Sequence, residues 1–494
     1  MSGENERRTV GQLPTNNGPT ARVPAVLTWL VWLLWLASLC VVGVRLAGGG
    51  GWELSGLVVV DGLTLVMWVV VTFFSGIVHS YSRRYMAGSE HLTRFFTRLF
   101  AFTLVVMGLV AADHVVGFWL AWLAMGLVMA DLVGTVRGWP QARTAASYAR
   151  RYFLASSVFL GIALVTLSQA TGARTISEIL VAAETVSGTT LTVALGSLLL
   201  AAMIQSALVP FHTWLLSSMT APTPASALMH AGFVNAGGVL FARFAPVVTL
   251  DGQFMLLVVV VGAASALLGK LLKSVQADIK GSLGCSTTGQ MGFMLVQAGL
   301  GFFGAAVTHL VLHGFYKAHQ FLSSGGQIEQ TDPTTGSTAR SLGLAGGVVT
   351  LLTATAGGVV FALLTGKGTG LDSGLLLTGL VVLTTLHATQ TAVRRRSVPA
   401  RLRYGVVAIL FLPAIAVYGA VYVAITGLMN GGVVTVPADL TVVHVAVGAA
   451  FAVAYIAIET GLYRRSERLY VALLNATQPP SGTVLTASEE YSER

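Results

Sequence analysis

About fourteen apolar stretches follow one another along the chain, each long enough to cross a bilayer, and they leave little room for anything else. A spanning helix needs roughly 20 mostly apolar residues. Stretches of that kind lie near 25–47, 57–81, 95–112, 114–136, 149–170, 190–216, 222–247, 253–273, 281–299, 301–324, 342–365, 371–393, 404–428 and 439–463. Lipid offers no hydrogen bonds to the backbone, so a stretch that crosses it folds as a helix. The expected fold is an all-α polytopic membrane protein of about 14 transmembrane helices. Connections are short. The longest, 171–189 and 325–341, are polar and rich in Gly, Ser and Thr, and no soluble domain fits between spans. Residues 1–24 read as a disordered cytoplasmic tail, 25–463 as the transmembrane domain and 464–494 as a polar cytoplasmic tail.

Charge agrees with that reading. Only 10% of the 494 residues are charged, against about 25% in soluble proteins. The net charge of +9 is not gathered into one patch. It falls in short loop clusters: Arg83 and Arg84, Arg150 and Arg151, Arg394 to Arg396 with Arg401 and Arg403, and Arg464 and Arg465 with Arg468. No nucleic-acid-binding signature accompanies them. Counted from the N-terminus, the even loops carry the basic residues, with Arg174 and Lys367 the main exceptions in the odd ones. The positive-inside rule then places both termini in the cytoplasm. Cys40 and Cys285 lie far apart in apolar spans, too few for a four-cysteine zinc or iron–sulfur site. No GxGxxG and no GxxxxGK[ST] motif marks a nucleotide site, so no cofactor is expected.

Two spans carry interruptions. Pro210 lies within SALVPFHTWLL, and Pro222 and Pro224 open the following span in TAPTPAS. Proline removes a backbone donor and breaks the helical ladder. At membrane depth such a break persists only where it is buried in protein or lines a wet cavity, as in transporters with discontinuous helices.

The stretch THLVLHGFYK, residues 308–317, places His309, His313 and Lys317 four residues apart. A step of four drifts about 40° around a helix and rises about 6 Å, so the three form one stripe, with Thr308 and His319 near its edges. Burying a lysine in a span costs about 2.5–3.5 kcal/mol on insertion scales. Three readings fit the stripe: a proton wire, a polar cluster joining helices, and a metal site using the two histidines. His230 follows the Pro222/Pro224 segment by about two turns and is either a core histidine or part of the same path. Lys270 and Lys273 end a span and either snorkel to the interface or join the path. Asp131 lies inside GLVMADLVG, and an intramembrane carboxylate is a functional candidate. His387, His444 and Glu459 sit near span ends and read as structural or interfacial.

PFHTWLLSSMTAPTPASALMHAGFVNAGGVLFAR (210–243) and DIKGSLGCSTTGQMGFMLVQAGLGFFGAAVTHLVLHGFYKAHQFLSSG (278–325) resemble the antiporter-type subunits of respiratory complex I and Mrp antiporters. DGLTLVMWVVVTFFSGIVHSYSRRYM (61–86) fits the same family, and the resemblance covers roughly 57–365. It implies inverted helical repeats with discontinuous helices, two proton half-channels, and His230, His309, His313 and Lys317 on the polar axis across the membrane. The chain departs from the family pattern at Leu123, where the family has a glutamate, and at Gln205, where it has a lysine. Neither residue titrates. A lysine expected within 342–365 is also missing.

Those departures, and the wording HGFYKAHQFLSSG, resemble instead the membrane subunits of inorganic carbon (CO2/bicarbonate) transporters. Such subunits pair with a DabA-like zinc protein similar to β-carbonic anhydrases. The resemblance implies a non-enzymatic, proton- or Na+-conducting subunit of the cell's inner (plasma) membrane, with the zinc chemistry in the partner. Beside it stand a Mrp-type cation/proton antiporter subunit, a membrane subunit of a complex I-type NADH–quinone oxidoreductase, and a structural anchor with a dead channel.

Overall fold

The computed structural model describes residues 19–324, 343–394, 400–429 and 435–478, with 480 and 483. Most of the expected N-terminal tail, the 325–341 connection, much of the 394–403 basic cluster and the end of the polar tail lie outside the described residues.

In chain order the helices are α1 Pro19–Leu46, α2 Gly62–Tyr85, α3 Leu92–Ala111, α4 Val115–Val133, α5 Pro140–Thr171, α6 Ile176–Val181 and α7 Gly188–Gln205. There follow α8 Thr213–Ser217, α9 Thr223–Ala231, α10 Ala236–Arg243, α11 Ala245–Val248, α12 Gly252–Ser274, α13 Ile279–Gly299 and α14 Phe303–Leu322. The rest are α15 Leu344–Thr365, α16 Ser373–Arg394, α17 Ala400–Leu428, α18 Val442–Glu459 and α19 Glu467–Ala476. One short hairpin, β1 Trp52–Leu54 with β2 Val58–Val60, pairs antiparallel before α2. Carboxylates start several helices by accepting from the first free backbone N–H groups, as Asp61 does for α2, Asp251 for α12 and Asp278 for α13.

Each stretch read as a span falls on a helix or on a pair of broken helices. Among the described residues, twelve helices are long and apolar enough to cross a membrane by length and composition, against about fourteen expected. The two outside that set are α13 and α14, 21 and 20 residues long. Both are long enough to span, and what lowers them is their polar content: Lys280, Thr287, Thr288 and Gln297 on one, Thr308, His309, His313 and Lys317 on the other.

Burial falls from the centre outward. The broken α9–α10 segment is 89% buried and α2 is 72% buried, whereas α1, α17 and α18 are at 17%, 17% and 11%. The outer helices turn Trp29, Leu33, Ile409 and Val453 outward, as lipid-facing surfaces require. Against that rim the core is close-packed. Glycines let α12 and α13 touch backbone to backbone: a Cβ on Gly262 would lie 2.7 Å from the Gly292 carbonyl oxygen.

Both expected interruptions are present, and there is a third. The α7 ladder stops at Ser206, four residues before Pro210, where Ala207 adopts a left-handed φ of 53°. The indole N–H of the wholly buried Trp214 donates to the Ile204 carbonyl at 2.9 Å and so satisfies a group freed by the break. Pro222 is the N-cap of α9 and Pro224 lies in its first turn, where a missing N–H is harmless. The unexpected break follows at Gly232, where 233–235 form a 3-10 turn between α9 and α10. Asn235 Nδ2 donates to the Ala231 carbonyl there at 2.7 Å. The far end of α10 is fixed by Arg243, which pairs with Asp61 and donates to Val110 O at 2.7 Å and Thr64 Oγ1 at 3.1 Å.

Candidate functional site

The stripe on α14 is one-sided, as its spacing predicts. Thr308 and Lys317 are fully buried and His313 is nearly so, while Phe315, Tyr316 and His319 are exposed. His309 is half-buried. Its ring stacks on that of His313, with centroids 5.9 Å apart and planes 20° from parallel. Lone pairs in near-parallel planes do not converge on one ion, and among the described residues no three His, Cys, Asp or Glu side chains form a metal cluster.

Lys317 Nζ donates to the Leu283 carbonyl on α13 at 2.8 Å. The same carbonyl accepts from Thr287 Oγ1 at 2.9 Å. Thr287 Oγ1 in turn lies 2.9 Å from His230 Nδ1. A hydroxyl has one proton, and Thr287 gives it to Leu283, so His230 donates through Nδ1–H and its Nε2 carries the lone pair. His230 therefore connects to Lys317 through one hydroxyl and one shared carbonyl. Its ring also stacks on Phe321 of α14 at 4.3 Å. The break after α7 reaches the same place: a Cβ on Gly284 would lie 3.0 Å from Leu216, 3.2 Å from Met219 and 4.0 Å from His230. Lys280 closes that segment by donating to Ala221 O at 3.2 Å.

Several ring nitrogens in the file have no hydrogen-bond partner among the described residues: Nε2 of His230 and His309, and both nitrogens of His313. Buried polar atoms are almost always bonded to protein or to water. The file therefore has the polarity that draws water between its members.

The other predicted residues fall elsewhere. Asp131 sits near the end of α4, 43% exposed, and pairs with Arg98 at 2.7 Å and Arg150 at 3.5 Å. It stabilises a basic helix end and is not brought into the file. Lys270 meets His387 Nε2 at 2.8 Å, and His387 Nδ1 meets Glu459 Oε1 at 2.6 Å. Lys273 is within electrostatic range of Lys317 on one side and of Lys270 on the other. His444 caps α18 together with Thr441. Leu123 is half-buried, and Gln205 is wholly buried with neither amide atom bonded within the described residues. Lys367, one of the loop-charge exceptions, is buried with Nζ 3.5 Å from the Tyr422 ring centroid and 5.1 Å from that of Phe302.

Sequence reasoning passed over Thr287 and His79, and read His387 and Glu459 as structural or interfacial. His79 on α2 is fully buried, bonded through Nδ1 to Ser75 O at 2.8 Å and unpartnered at Nε2. The available signal was a histidine inside an apolar span, the same that marked His230. Thr287 carried no signal, because threonine is ordinary in membrane helices.

The family described as NADH:quinone oxidoreductase/Mrp antiporter, transmembrane, matches residues 112–365. That of the complex I chain 5 N-terminus matches 49–96. The chain is 41% identical over 282 residues to the probable inorganic carbon transporter subunit DabB1 of Halothiobacillus neapolitanus, covering 56% of this chain and 50% of that one. It is 36% identical over 345 residues to the probable inorganic carbon transporter subunit DabB of Bacillus subtilis, covering 66% and 64%. It is also 36% identical over 285 residues to NADH-quinone oxidoreductase subunit L of Escherichia coli, covering 56% and 46%. The chain thus spans about half the length of most of these curated relatives. Among solved structures, that of the Mrp complex from Dietzia sp. DQ12-45-1b superposes with a TM-score of 0.56 at 21% identity, over 95% of this chain and 51% of that one. That likeness concerns the fold.

Proposed function

The chain belongs to the family of NADH:quinone oxidoreductase and Mrp antiporter transmembrane subunits, and from that premise we propose that it conducts protons for an energy-coupled inorganic carbon uptake complex. In this reading it is a non-enzymatic subunit of the cell's inner membrane, with both termini cytoplasmic. Proton flow, or Na+ flow in its place, energises hydration of CO2 to bicarbonate in a DabA-like zinc partner. The relatives named as carbon transporter subunits support the assignment. Leu123 and Gln205 support it further, since a family pump using a Glu–Lys pair at those positions would lack both titrating groups here.

The observation that carries the reading is the buried file. His309, His313 and Lys317 lie on one helix face, and His230 joins Lys317 through Thr287 and the Leu283 carbonyl. Imidazole exchanges protons near neutral pH. Lys317 is held by the Leu283 carbonyl with no carboxylate partner among the described residues, so its ammonium is a proton donor facing the file.

The test is growth of a carbonic-anhydrase-null host in ambient air, rescued by this chain with its neighbouring partner gene. His313→Ala and Lys317→Ala are expected to abolish rescue while the complex still assembles. Full rescue by both sinks the proton-path role. Purification through this chain is expected to bring down a zinc-containing protein, and its absence removes the carbon-uptake assignment.

A further inference from the structure

A second titratable array lies outside the file, and the fold assembles it from three helices. Lys270 Nζ on α12 is 2.8 Å from His387 Nε2 on α16, and His387 Nδ1 is 2.6 Å from Glu459 Oε1, the last residue of α18. We propose that this array is the inner-face terminus of the proton path, so that protons leave the file sideways through Lys270 and His387 to Glu459. The proposal rests on the proton-path reading of the file and adds where the path ends.

Three observations carry it. First, the polarity of the array is directional. A carboxylate only accepts, so His387 donates from Nδ1, and its Nε2 lone pair faces the ammonium of Lys270. One transfer then balances: Lys270 gives a proton to Nε2 as Nδ1 gives its own to Glu459. A charged lysine, a neutral imidazole and a carboxylate become a neutral amine, the other imidazole tautomer and a carboxylic acid. Glu459 releases that proton to water, the imidazole resets by turning its ring over, and Lys270 takes up the next proton from the file.

Second, the array is linked to the file and is not an isolated tie. Lys273, one turn beyond Lys270 on α12, is within electrostatic range of Lys317, of Lys270 and of His387. α12 also packs along α13, whose Leu283 carbonyl holds Lys317. Third, the terminus is placed to release protons. Glu459 ends its helix, its side chain is 14% exposed, and His387 is 32% exposed. Lys317 and His313 in the file are buried more deeply, at 0% and 6%.

A structural tie would give the same contacts, so the test uses substitutions that keep the contact and remove the exchange. Lys270→Arg keeps the cation but does not deprotonate, and Glu459→Gln keeps an acceptor oxygen for His387 Nδ1 but does not ionise. The complex purified through this chain is reconstituted in proteoliposomes, and proton uptake under an imposed potential is read with a pH-sensitive dye in Na+-free buffer. Both variants are expected at wild-type yield in the membrane with proton flux reduced about tenfold or more. Wild-type flux in both, with His313→Ala silent, overturns the proposal, makes the array a tie between helices, and leaves the file intact. Wild-type flux in His313→Ala overturns the underlying reading, and this one falls with it.

Discussion

Leu283 O accepts two hydrogen bonds, from Lys317 Nζ and from Thr287 Oγ1, and that double acceptance decides which proton His230 carries. Thr287→Val removes the hydroxyl with little change in shape. It leaves a buried imidazole N–H unpaired, at a cost of about 1–3 kcal/mol. The expected result is a lower melting temperature in detergent and reduced proton flux, with both restored by Thr287→Ser. Unchanged flux in Thr287→Val would show that His230 does not communicate with Lys317 by this route. The stripe on α14 was legible in the sequence because a step of four on a helix is a statement about direction, and direction survives folding. Its partners were not. Thr287 and the Leu283 carbonyl come from another helix, and nothing in GSLGCSTTG marks the threonine that, besides bonding its own backbone, receives His230.

At the scale of the element, lipid thickness made the helices readable and backbone chemistry made their breaks only partly so. The breaks marked by proline were legible because proline lacks an N–H. The one at Gly232 was not, since glycine at φ −125° is permissive and not diagnostic. The break after α7 also holds a non-glycine residue in the left-handed region: buried Ala207 at φ 53°. That conformation costs an L-residue about 1–2 kcal/mol, of which glycine returns part and gives some back as unfolded-chain entropy, roughly 0.4–1 kcal/mol. Ala207→Gly is therefore expected to leave thermal stability unchanged or slightly raised, and Ala207→Val to lower it by more than about 1 kcal/mol. Thermal unfolding in detergent distinguishes the two, and a stabilising valine would exclude the strained turn.

For the whole molecule, the gradient from the 89% buried α9–α10 segment to the 17% buried α1 predicts which side chains meet lipid. Trp29 on α1 is 68% exposed, whereas Trp214 and Trp122 are at 0% and 2%. In single-tryptophan variants reconstituted with brominated lipid, Trp29 fluorescence is expected to be strongly quenched and that of Trp214 and Trp122 to persist. Equal quenching of all three would contradict the arrangement of helices. The Lys270–His387–Glu459 array belongs to this scale too. Its members are separated by 117 and 72 residues, so only the packing of α12, α16 and α18 reveals it. The glycine contact between α12 and α13 belongs to it as well. At Gly262 and Gly292 the two helices meet backbone to backbone, with no side chain of either residue between them. That pair of helices carries Lys270, Lys273, Leu283 and Thr287. The neighbouring run from Ser206 to Ala236 is jointed instead, broken after α7 and again at Gly232.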